Sequence, residues 1–344
     1  MAKGDPKILL IYTGGTIGMI KDFKTGSLRN FNFDDLLKHI PELRLLDCEI
    51  DTHSFDTPID SSNMRPKYWS DIALVIKNKY QLFDGFVILH GSDTMSYTAS
   101  ALSFMLENLC KPVIFTGSQL PIGDLRTDAK ENLITSIQLA SLHNEGVPVV
   151  KEVGLYFEYK LYRANRTTKI NAEHFEAFAS LNYPPLAESG VHLDVNKGAL
   201  LHPKKEKELI VHLELEDDIL LVKMFPGITE KTINHFFSLK GTKGVILETY
   251  GSGNLTTEPW FIKALQELMD KGIPVVNVTQ CSGGSVAMGH YETSVALKEM
   301  GVISGKDITT EAAIAKLMYL LGRNDSKEDF KNIFECPLRG EMNV

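Results

Sequence analysis

The sequence predicts an α/β fold divided into two domains. Short apolar runs alternate along the chain with amphipathic stretches, which is the pattern of parallel strands joined by helices. The chain has 344 residues, roughly twice the usual length of one domain. Because 43% of the residues are hydrophobic, the chain can bury a sizeable core.

The N-terminal half carries apolar runs that are bounded by glycine, proline or polar residues. These runs span residues 7–13, 85–89, 112–117 and 148–157. They suit the interior of a parallel sheet that is covered on both faces. Between the first two runs, apolar side chains in residues 66–80 recur at three- and four-residue steps, which predicts a helix with one buried face.

A second α/β series follows in the C-terminal part. Residues 219–225, 244–249 and 273–279 predict strands, and residues 310–321 predict a helix. The alternating segment 210–215 predicts one arm of a hairpin with 219–225. We therefore expect an N-terminal domain at 1–195, a linker at 196–217 and a C-terminal domain at 218–344.

Composition excludes several classes of partner. The net charge is −8, and an acidic chain repels phosphate backbones, so we expect no nucleic acid partner. The first apolar run is too short for a membrane span or a secretory signal.

The cysteines, Cys48, Cys110, Cys281 and Cys336, form no CxxC pair, which favours free thiols and a cytoplasmic location.

The first chemical motif is YTGGTIGM at residues 12–19, directly after the first predicted strand. A glycine pair lets the backbone turn tightly and approach a ligand closely. Thr13 and Thr16 flank that pair, but the spacing is neither GxGxxG nor that of a Walker loop. Taken alone, the motif fits a plain strand-to-helix turn equally well.

The second motif, LHGSDTMSYTAS at residues 89–100, follows another predicted strand. Ser92 and Asp93 would then lie at the carboxyl end of the sheet, where ligands bind in open α/β folds. Helix capping is the alternative, because serine and aspartate are both strong N-cap residues.

Two further segments carry polar candidates. PIDSSNM at residues 58–64 contains Asp60, Ser61 and Ser62, and a polar turn is the simpler interpretation of those residues alone. Lys169 lies in YRANRTTKI, where burial would make it a usable proton acceptor. A solvent-exposed lysine is the simpler alternative there.

Metal and cofactor chemistry lacks a sequence signal. The ten histidines include no HExxH motif, and none pairs with cysteine at zinc spacing. No GxSxG motif is present either. The glycine-rich segments 249–254 and 279–289 predict turns or subunit contacts, so we expect neither a metal nor an organic cofactor.

These motifs together resemble a known family. TGGTIGM, HGSDTM, GSQLP, DLRTDAKENL and RTTK, in this order, are similar to segments of the bacterial type I, cytoplasmic L-asparaginases. The resemblance implies a larger N-terminal domain with a mostly parallel sheet flanked by helices. It also implies a smaller flavodoxin- or Rossmann-like C-terminal domain, and assembly as a homodimer or homotetramer.

The resemblance also implies an activity and its catalytic residues. It implies hydrolysis of L-asparagine to L-aspartate and ammonia through a threonine acyl-enzyme, without a cofactor. By motif position, Thr16 matches the usual nucleophile and Ser92 the second hydroxyl. Asp93 matches the neighbouring aspartate, and Lys169 matches the lysine of the triad.

The same resemblance implies how substrate is held. Asp60, Ser61 and Ser62 match a loop that binds the α-carboxylate and the amine of the substrate, together with Ser92 and Asp93. Asparagine and glutamine differ by one methylene, which a pocket discriminates by only about 1–3 kcal/mol, so we expect some glutaminase activity.

The sequence departs from the family at two places near the first two motifs. The second hydroxyl is usually a threonine, and Ser92 lacks the methyl group that would fix its rotamer. The loop at 20–30 usually carries a tyrosine that polarises the nucleophile, and here Ser27 and Leu28 occupy that neighbourhood.

Two rival functions follow from the same residues. An asparaginase-like amidotransferase subunit is expected to carry an additional N-terminal domain, for which a first motif at residue 12 leaves no room. A nucleotide-binding module would use the glycine turns for phosphate, and it predicts binding of ATP or NAD without turnover.

Overall fold

The structure is a computed structural model that describes residues 4–21, 28–30, 40–203, 207–289, 292–323 and 329–344. It divides into two compact units, Met1–Leu213 and Glu214–Val344. Each unit contains a parallel sheet with helices, so the predicted α/β class is confirmed. The finer boundaries, with a linker at 196–217, stay a prediction.

The first unit contains most of the strands that the structure describes. The strands are β1 (Lys7–Tyr12), β2 (Met19–Lys21), β3 (Leu28–Asn30), β4 (Glu49–Ser54), β5 (Gly85–Leu89), β6 (Leu106–Glu107), β7 (Val113–Thr116), β8 (His143–Asn144), β9 (Val147–Pro148), β10 (Val153–Phe157), β11 (Lys160–Arg163), β12 (Thr168–Lys169), β13 (Phe178–Ala179), β14 (Ala187–Ser189), β15 (Leu193–Val195) and β16 (Ile210–Val211). The helices are α1 (Pro66–Lys79), α2 (Met95–Met105) and α3 (Ala129–Ser141). The strands predicted from the N-terminal apolar runs and the helix predicted over 66–80 are therefore confirmed.

The main sheet has the strand order β15-β14-β11-β10-β7-β5-β1-β4. Strands β4, β1, β5, β7 and β10 run parallel, and β11, β14 and β15 add an antiparallel edge. Ile8 and Leu10 of β1 join the apolar cluster that contains Leu133 of α3. Leu9 and Ile11 are also buried, so both faces of the strand are covered, as its continuous apolar run predicts.

The order of the parallel strands gives the main sheet a topological switch point at β1. Strand β1 lies between β4 and β5, which are the next two strands of this sheet in chain order. The chain therefore leaves β1 first toward one side of the sheet and then toward the other. Ligands in open α/β sheets bind at such a switch point, outside the carboxyl ends of the strands. The loops after β1 and β5 contain the first two sequence motifs.

The second unit is a smaller α/β layer. Its strands are β17 (Ile219–Lys223), β18 (Gly244–Thr249), β19 (Val275–Thr279) and β20 (Ile303–Ser304), which pair in parallel in that order. Its helices are α4 (Glu230–Phe237), α5 (Pro259–Met269), α6 (Glu292–Glu299), α7 (Thr310–Gly322) and α8 (Phe330–Glu335). The three strands and the helix over 310–321 that the sequence predicts are confirmed.

The predicted hairpin between 210–215 and 219–225 is wrong. Strand β16 pairs antiparallel with β6, about a hundred residues earlier, and β17 pairs in parallel with β18. Alternation of apolar and polar residues identifies a strand, but it carries no information about a partner that is distant in sequence. Residues 212–218 separate β16 from β17, and they form no tight hairpin turn.

A buried ion pair anchors the strand that leads to Lys169. Arg163 Nε donates to Glu152 Oε2 over 2.6 Å, and both side chains are almost fully buried. The second carboxylate oxygen of Glu152 accepts the Leu201 N–H at 2.7 Å. Arg163 also donates to the Ala199 carbonyl oxygen at 2.8 Å. The end of β11 is thereby fixed to two other segments of the first unit.

Candidate active site

The turns after β1 and β5 are joined by short contacts. The Thr13 hydroxyl and the Thr13 N–H both donate to the Leu89 carbonyl oxygen, at 2.9 and 3.1 Å. Gly15, with φ 95°, lies so close to Gly91 that a Cβ at Gly15 would be 2.6 Å from the Gly91 nitrogen. Only glycine fits this position, because the contact is with backbone atoms that cannot yield.

Gly14 makes a second close approach. Its φ is 139°, and a Cβ there would lie 2.1 Å from the Ile59 carbonyl oxygen. The Ile59 N–H donates to the Thr13 carbonyl at 2.7 Å. The glycine pair of the first motif therefore brings the turn after β1 against both the β5 turn and the segment that precedes Asp60.

Thr16 begins a single-turn 3-10 helix, Thr16–Gly18, immediately after this glycine pair. Its side chain is half-buried. Gly15 packs on Gly91, and Thr16 and Ser92 are the residues that directly follow these two glycines. The structure thus puts both candidate hydroxyls on adjoining loops at the carboxyl ends of adjacent strands. Ser27 of the 20–30 loop lies outside the described residues, and only the backbone of Leu28 is described.

Ser92, Asp93 and Lys169 are brought together directly. The Lys169 Nζ donates to Ser92 Oγ over 2.9 Å and to Asp93 Oδ1 over 2.7 Å. The lysine side chain is only 16% exposed, whereas that of Asp93 is 66% exposed. The interpretation of Lys169 as a solvent-exposed residue is therefore wrong.

Helix capping does not explain Ser92 and Asp93. They form a 3-10 turn, Ser92–Thr94, whose N-cap is Gly91 and has no side-chain capping bond. Helix α2 begins after Thr94, which also makes no side-chain capping bond. Both polar side chains are therefore available for the contacts with Lys169, and the capping alternative is wrong.

The loop at 60–62 packs beside the same turn. Thr94 Oγ1 donates to the Ser61 carbonyl at 2.7 Å, and Ser61 Oγ lies against Gly91. Ser61 is buried, while Asp60 and Ser62 are exposed. Asp60 Oδ1 accepts both the N–H and the hydroxyl of Ser62 at 2.9 Å, and these hydrogen bonds lower the pKa of the Asp60 carboxyl.

Two residues near Ser92 were missed by the sequence interpretation. His90 is buried, and its Nδ1 donates to the Gly91 carbonyl at 2.7 Å, because a carbonyl oxygen can only accept. Burial lowers the pKa of His90 to about 4, so the ring is neutral at physiological pH. Gln119 Oε1 accepts a hydrogen bond from Ser92 Oγ at 3.2 Å. The sequence feature that could have indicated Gln119 is the segment GSQLP, which directly follows β7, the strand beside β5.

A cavity lies in the second unit, far along the chain from these motifs. It has a volume of about 610 Å³, and Lys243, Pro274 and Ile303 are among the residues that line it. They lie at the amino ends of the parallel strands, and ligands in open α/β sheets bind outside the carboxyl ends. We therefore take the convergence at Ser92 as the candidate active site.

The described part of the chain offers no helical membrane span and no metal cluster. Within those residues, no helix combines the length and the apolar character that a bilayer span requires. The same residues contain no cluster of three or more histidine, cysteine, aspartate or glutamate side chains arranged to bind a metal ion.

Comparison with known proteins places these features in one family. Residues 7–200 match the asparaginase N-terminal family, and residues 218–334 match the glutaminase/asparaginase C-terminal domain. L-asparaginase 1 of Escherichia coli strain K12 is 44% identical over 336 residues, which cover 97% of both chains.

A solved structure and a more distant relative agree with this assignment. The crystal structure of L-asparaginase I from Vibrio cholerae superposes with a TM-score of 0.90 at 41% identity, and the match covers 99% of this chain and 100% of that one. A glutamyl-tRNA(Gln) amidotransferase subunit from Methanobrevibacter smithii is 36% identical over 344 residues, 98% of this chain and 77% of its own length. The chain therefore belongs to the asparaginase family.

Proposed function

We propose that this protein is an L-asparaginase that hydrolyses L-asparagine to L-aspartate and ammonia. The observation that carries the proposal is the contact of the Lys169 ammonium with Ser92 Oγ at 2.9 Å and with Asp93 Oδ1 at 2.7 Å. This cluster adjoins the turn of Thr16 at a topological switch point, which is the usual place for a ligand in such a sheet.

The chemistry requires a hydroxyl nucleophile with a nearby proton acceptor. Resonance makes the amide carbon a poor electrophile, and an acyl-enzyme divides its hydrolysis into two easier steps. Thr16 attacks the side-chain carbonyl of asparagine in the mechanism that the family suggests, and attack by Ser92 is the alternative. Lys169, once neutral, accepts the proton of the Ser92 hydroxyl, while Asp93 orients the lysine side chain. Proton transfer of this kind accelerates a reaction by about 10²–10⁴-fold.

Backbone amides at the two turns suit the charge that develops on the carbonyl oxygen. The N–H groups around Gly15 and Ser92 belong to the loops that meet at the switch point. A donor aimed at an oxyanion contributes about 3–4 kcal/mol to transition-state stabilisation. Because Gly15 packs on Gly91, these donors are held before substrate binds.

The substrate is held at its α-carbon end by the loop at 60–62. Asp93 is largely exposed, and its carboxylate is free to accept the α-ammonium group on the side away from Lys169. Ser61 and Ser62 supply hydroxyls for the α-carboxylate, with Asp60 fixing the loop through Ser62. Glutamine has one more methylene, so we expect weak glutaminase activity rather than none.

An asparaginase-like amidotransferase subunit is the alternative function. Its relatives are less similar to this chain, and they extend beyond the matched region. An enzyme of that kind would release ammonia for a tRNA-bound substrate, whereas an asparaginase needs no RNA. The dependence of turnover on RNA therefore separates the two.

We further propose that the enzyme acts in the cytoplasm as a homodimer or homotetramer. Cys48, Cys110, Cys281 and Cys336 are all free thiols, which is typical of a reducing compartment. Size-exclusion chromatography with light scattering would give the number of subunits.

A coupled ammonia assay with asparagine and glutamine in parallel tests the function. We expect turnover of asparagine without RNA, and slower turnover of glutamine at equal concentration. Ammonia release that requires tRNA would favour the amidotransferase function, and the absence of release from either amino acid would contradict the proposal.

A further inference from the structure

Gln119 contacts the candidate catalytic serine through its side-chain amide. Ser92 Oγ lies 3.2 Å from Gln119 Oε1. The other end of the same amide, Nε2, donates to the carbonyl oxygens of Ala172 and His174 at 3.2 and 3.0 Å. Gln119 thus links the turn of Ser92 to the segment that follows Lys169.

These partners fix which way the amide points. Carbonyl oxygens only accept hydrogen bonds, so the NH₂ group must face Ala172 and His174. The amide oxygen then faces Ser92, and because it can only accept, the Ser92 hydroxyl must donate. Lys169 Nζ approaches the same hydroxyl oxygen as a donor at 2.9 Å. The Ser92 hydroxyl therefore has one partner on each side.

The backbone of Gln119 is held just as firmly. Its N–H donates to the Asp128 carboxylate, with the shorter distance 2.9 Å, and the neighbouring Leu120 N–H donates to the same carboxylate at 3.1 Å. Asp128 is buried. Asn132 Nδ2 donates to Asp128 and to the Gly117 carbonyl. Because both its backbone and its amide are anchored, Gln119 is a rigid support for Ser92.

Ser92 needs such a support for a steric reason. A serine hydroxyl can occupy three staggered χ1 positions, and only a β-branched residue is restricted by its own second substituent. A threonine at this position would limit χ1 through its methyl group. Serine lacks that group, and the hydrogen bond to Gln119 favours the rotamer that faces Lys169.

We propose that Gln119 is a positioning residue that holds the Ser92 hydroxyl against Lys169, and so replaces the rotamer control that a threonine methyl group would give. The inference rests on the proposed function, because it gives Ser92 a role in amide hydrolysis. At 3.2 Å the bond is long, so the hydroxyl proton can turn toward Lys169 at small cost when the lysine is neutral.

A comparison of Gln119→Ala in two backgrounds tests this role. In the enzyme with Ser92, we expect Gln119→Ala to lower kcat about three- to tenfold with little change in KM, as the loss of one hydrogen bond predicts. In the Ser92→Thr background, the same change should lower kcat less than about twofold, because the methyl group fixes the rotamer. Gln138→Ala, on the exposed side of α3, is the matched control and should leave kcat unchanged.

A purely structural role for Gln119 predicts a different result. Loss of the bonds to Ala172 and His174 would affect both backgrounds equally, so an equal loss of kcat in both would overturn the inference. A Ser92→Thr enzyme without measurable turnover would overturn it too, because a threonine hydroxyl must remain competent at this position. Thermal melting of each variant verifies that the fold persists.

Ser92→Ala distinguishes failure of this inference from failure of the proposed function. If Ser92→Ala is inactive while Gln119→Ala has the wild-type kcat, only the role of Gln119 is wrong. If Ser92→Ala keeps its ammonia release, Ser92 has no part in the chemistry, and both the proposed site and the inference fail.

Discussion

Lys169 Nζ lies 2.9 Å from Ser92 Oγ, although the two residues are 77 positions apart in the chain. The serine begins the 3-10 turn that follows β5, and the lysine belongs to the short strand β12, which follows the anchored end of β11. The lysine is largely buried beside an exposed carboxylate. The lysine that we propose as the proton acceptor and the Ser92 hydroxyl are thereby held in contact within the first unit.

Replacement of Lys169 by methionine should remove the proton acceptor. We expect Lys169→Met to lower kcat for asparagine by about 10²–10⁴-fold, the usual contribution of acid–base catalysis. The fold should persist, because the partner Asp93 is exposed and exposed ion pairs contribute little to stability. Lys67→Met, which removes an exposed pair with Asp71, is the control. A Lys169→Met enzyme with more than about a tenth of the wild-type kcat would argue against the assignment.

Replacement of Gly15 by alanine should separate the turns after β1 and β5, which we propose to carry the catalytic hydroxyls. The added Cβ would lie 2.6 Å from the Gly91 nitrogen, so the turns after β1 and β5 must move apart, and both activity and Tm should fall. Gly227→Ala is a matched control, because its φ is +96° and nothing lies near its Cβ. It isolates the cost of a positive φ, about 1–2 kcal/mol. Equal effects of the two substitutions would contradict the role given to the Gly15–Gly91 contact.

Loss of the buried arginine should destabilise the first unit strongly. Arg163→Met leaves the Glu152 carboxylate buried without its partner charge, for which we expect about 3–5 kcal/mol of lost unfolding free energy. Urea denaturation measures this value. Lys130→Met removes an ion pair with Glu42 whose side chains are 46% and 42% exposed, and it should lower the free energy of unfolding much less than Arg163→Met, because exposed ion pairs contribute little. Comparable losses of unfolding free energy in both variants would show that burial of the Arg163–Glu152 pair does not explain its contribution to stability.

Glu158 should make the stability of the protein depend on pH. Burial, together with the carboxylates of Asp128, Glu131 and Glu176, raises the pKa of Glu158 from 4.5 to about 7. The folded state therefore resists ionisation, and this group lowers stability as the pH rises from about 4.5 to about 7, above which the loss levels off. Glu158→Gln should raise Tm relative to the wild type, by an amount that grows between about pH 5 and pH 8.

The control for this effect is a glutamate with a similar backbone conformation. Glu145 is exposed, and its φ of 51° is close to the 45° of Glu158. Glu145→Gln should leave the pH dependence of Tm unchanged. A Tm difference between Glu158→Gln and the wild type that stays constant with pH would refute the assignment.

Much of the fold follows from local sequence patterns. Continuous apolar runs identified the parallel strands, because a strand covered on both faces has no polar side. The partner of strand β16 could not be identified in this way. Its pairing with β6 depends on packing between segments about a hundred residues apart, and the alternation in 210–215 is compatible with many partners.

The candidate site was predictable where a residue follows a strand that ends at the switch point. Thr16 and Ser92 belong to this group, and the similarity to asparaginases added Lys169. Gln119 and His90 were missed for a physical reason. Gln119 contacts Ser92 and His90 contacts the Gly91 carbonyl, and neither residue type nor spacing reveals that a side-chain amide or a buried imidazole will meet that partner.

Ammonia release by Thr16→Ala is the most direct test of the proposed mechanism. With Thr16 as the nucleophile, the variant should keep the wild-type Tm and far-UV circular dichroism, yet release ammonia from asparagine at less than about a thousandth of the wild-type rate. A folded Thr16→Ala enzyme that retains most of its turnover would contradict the account, because the attacking hydroxyl would then belong to another residue.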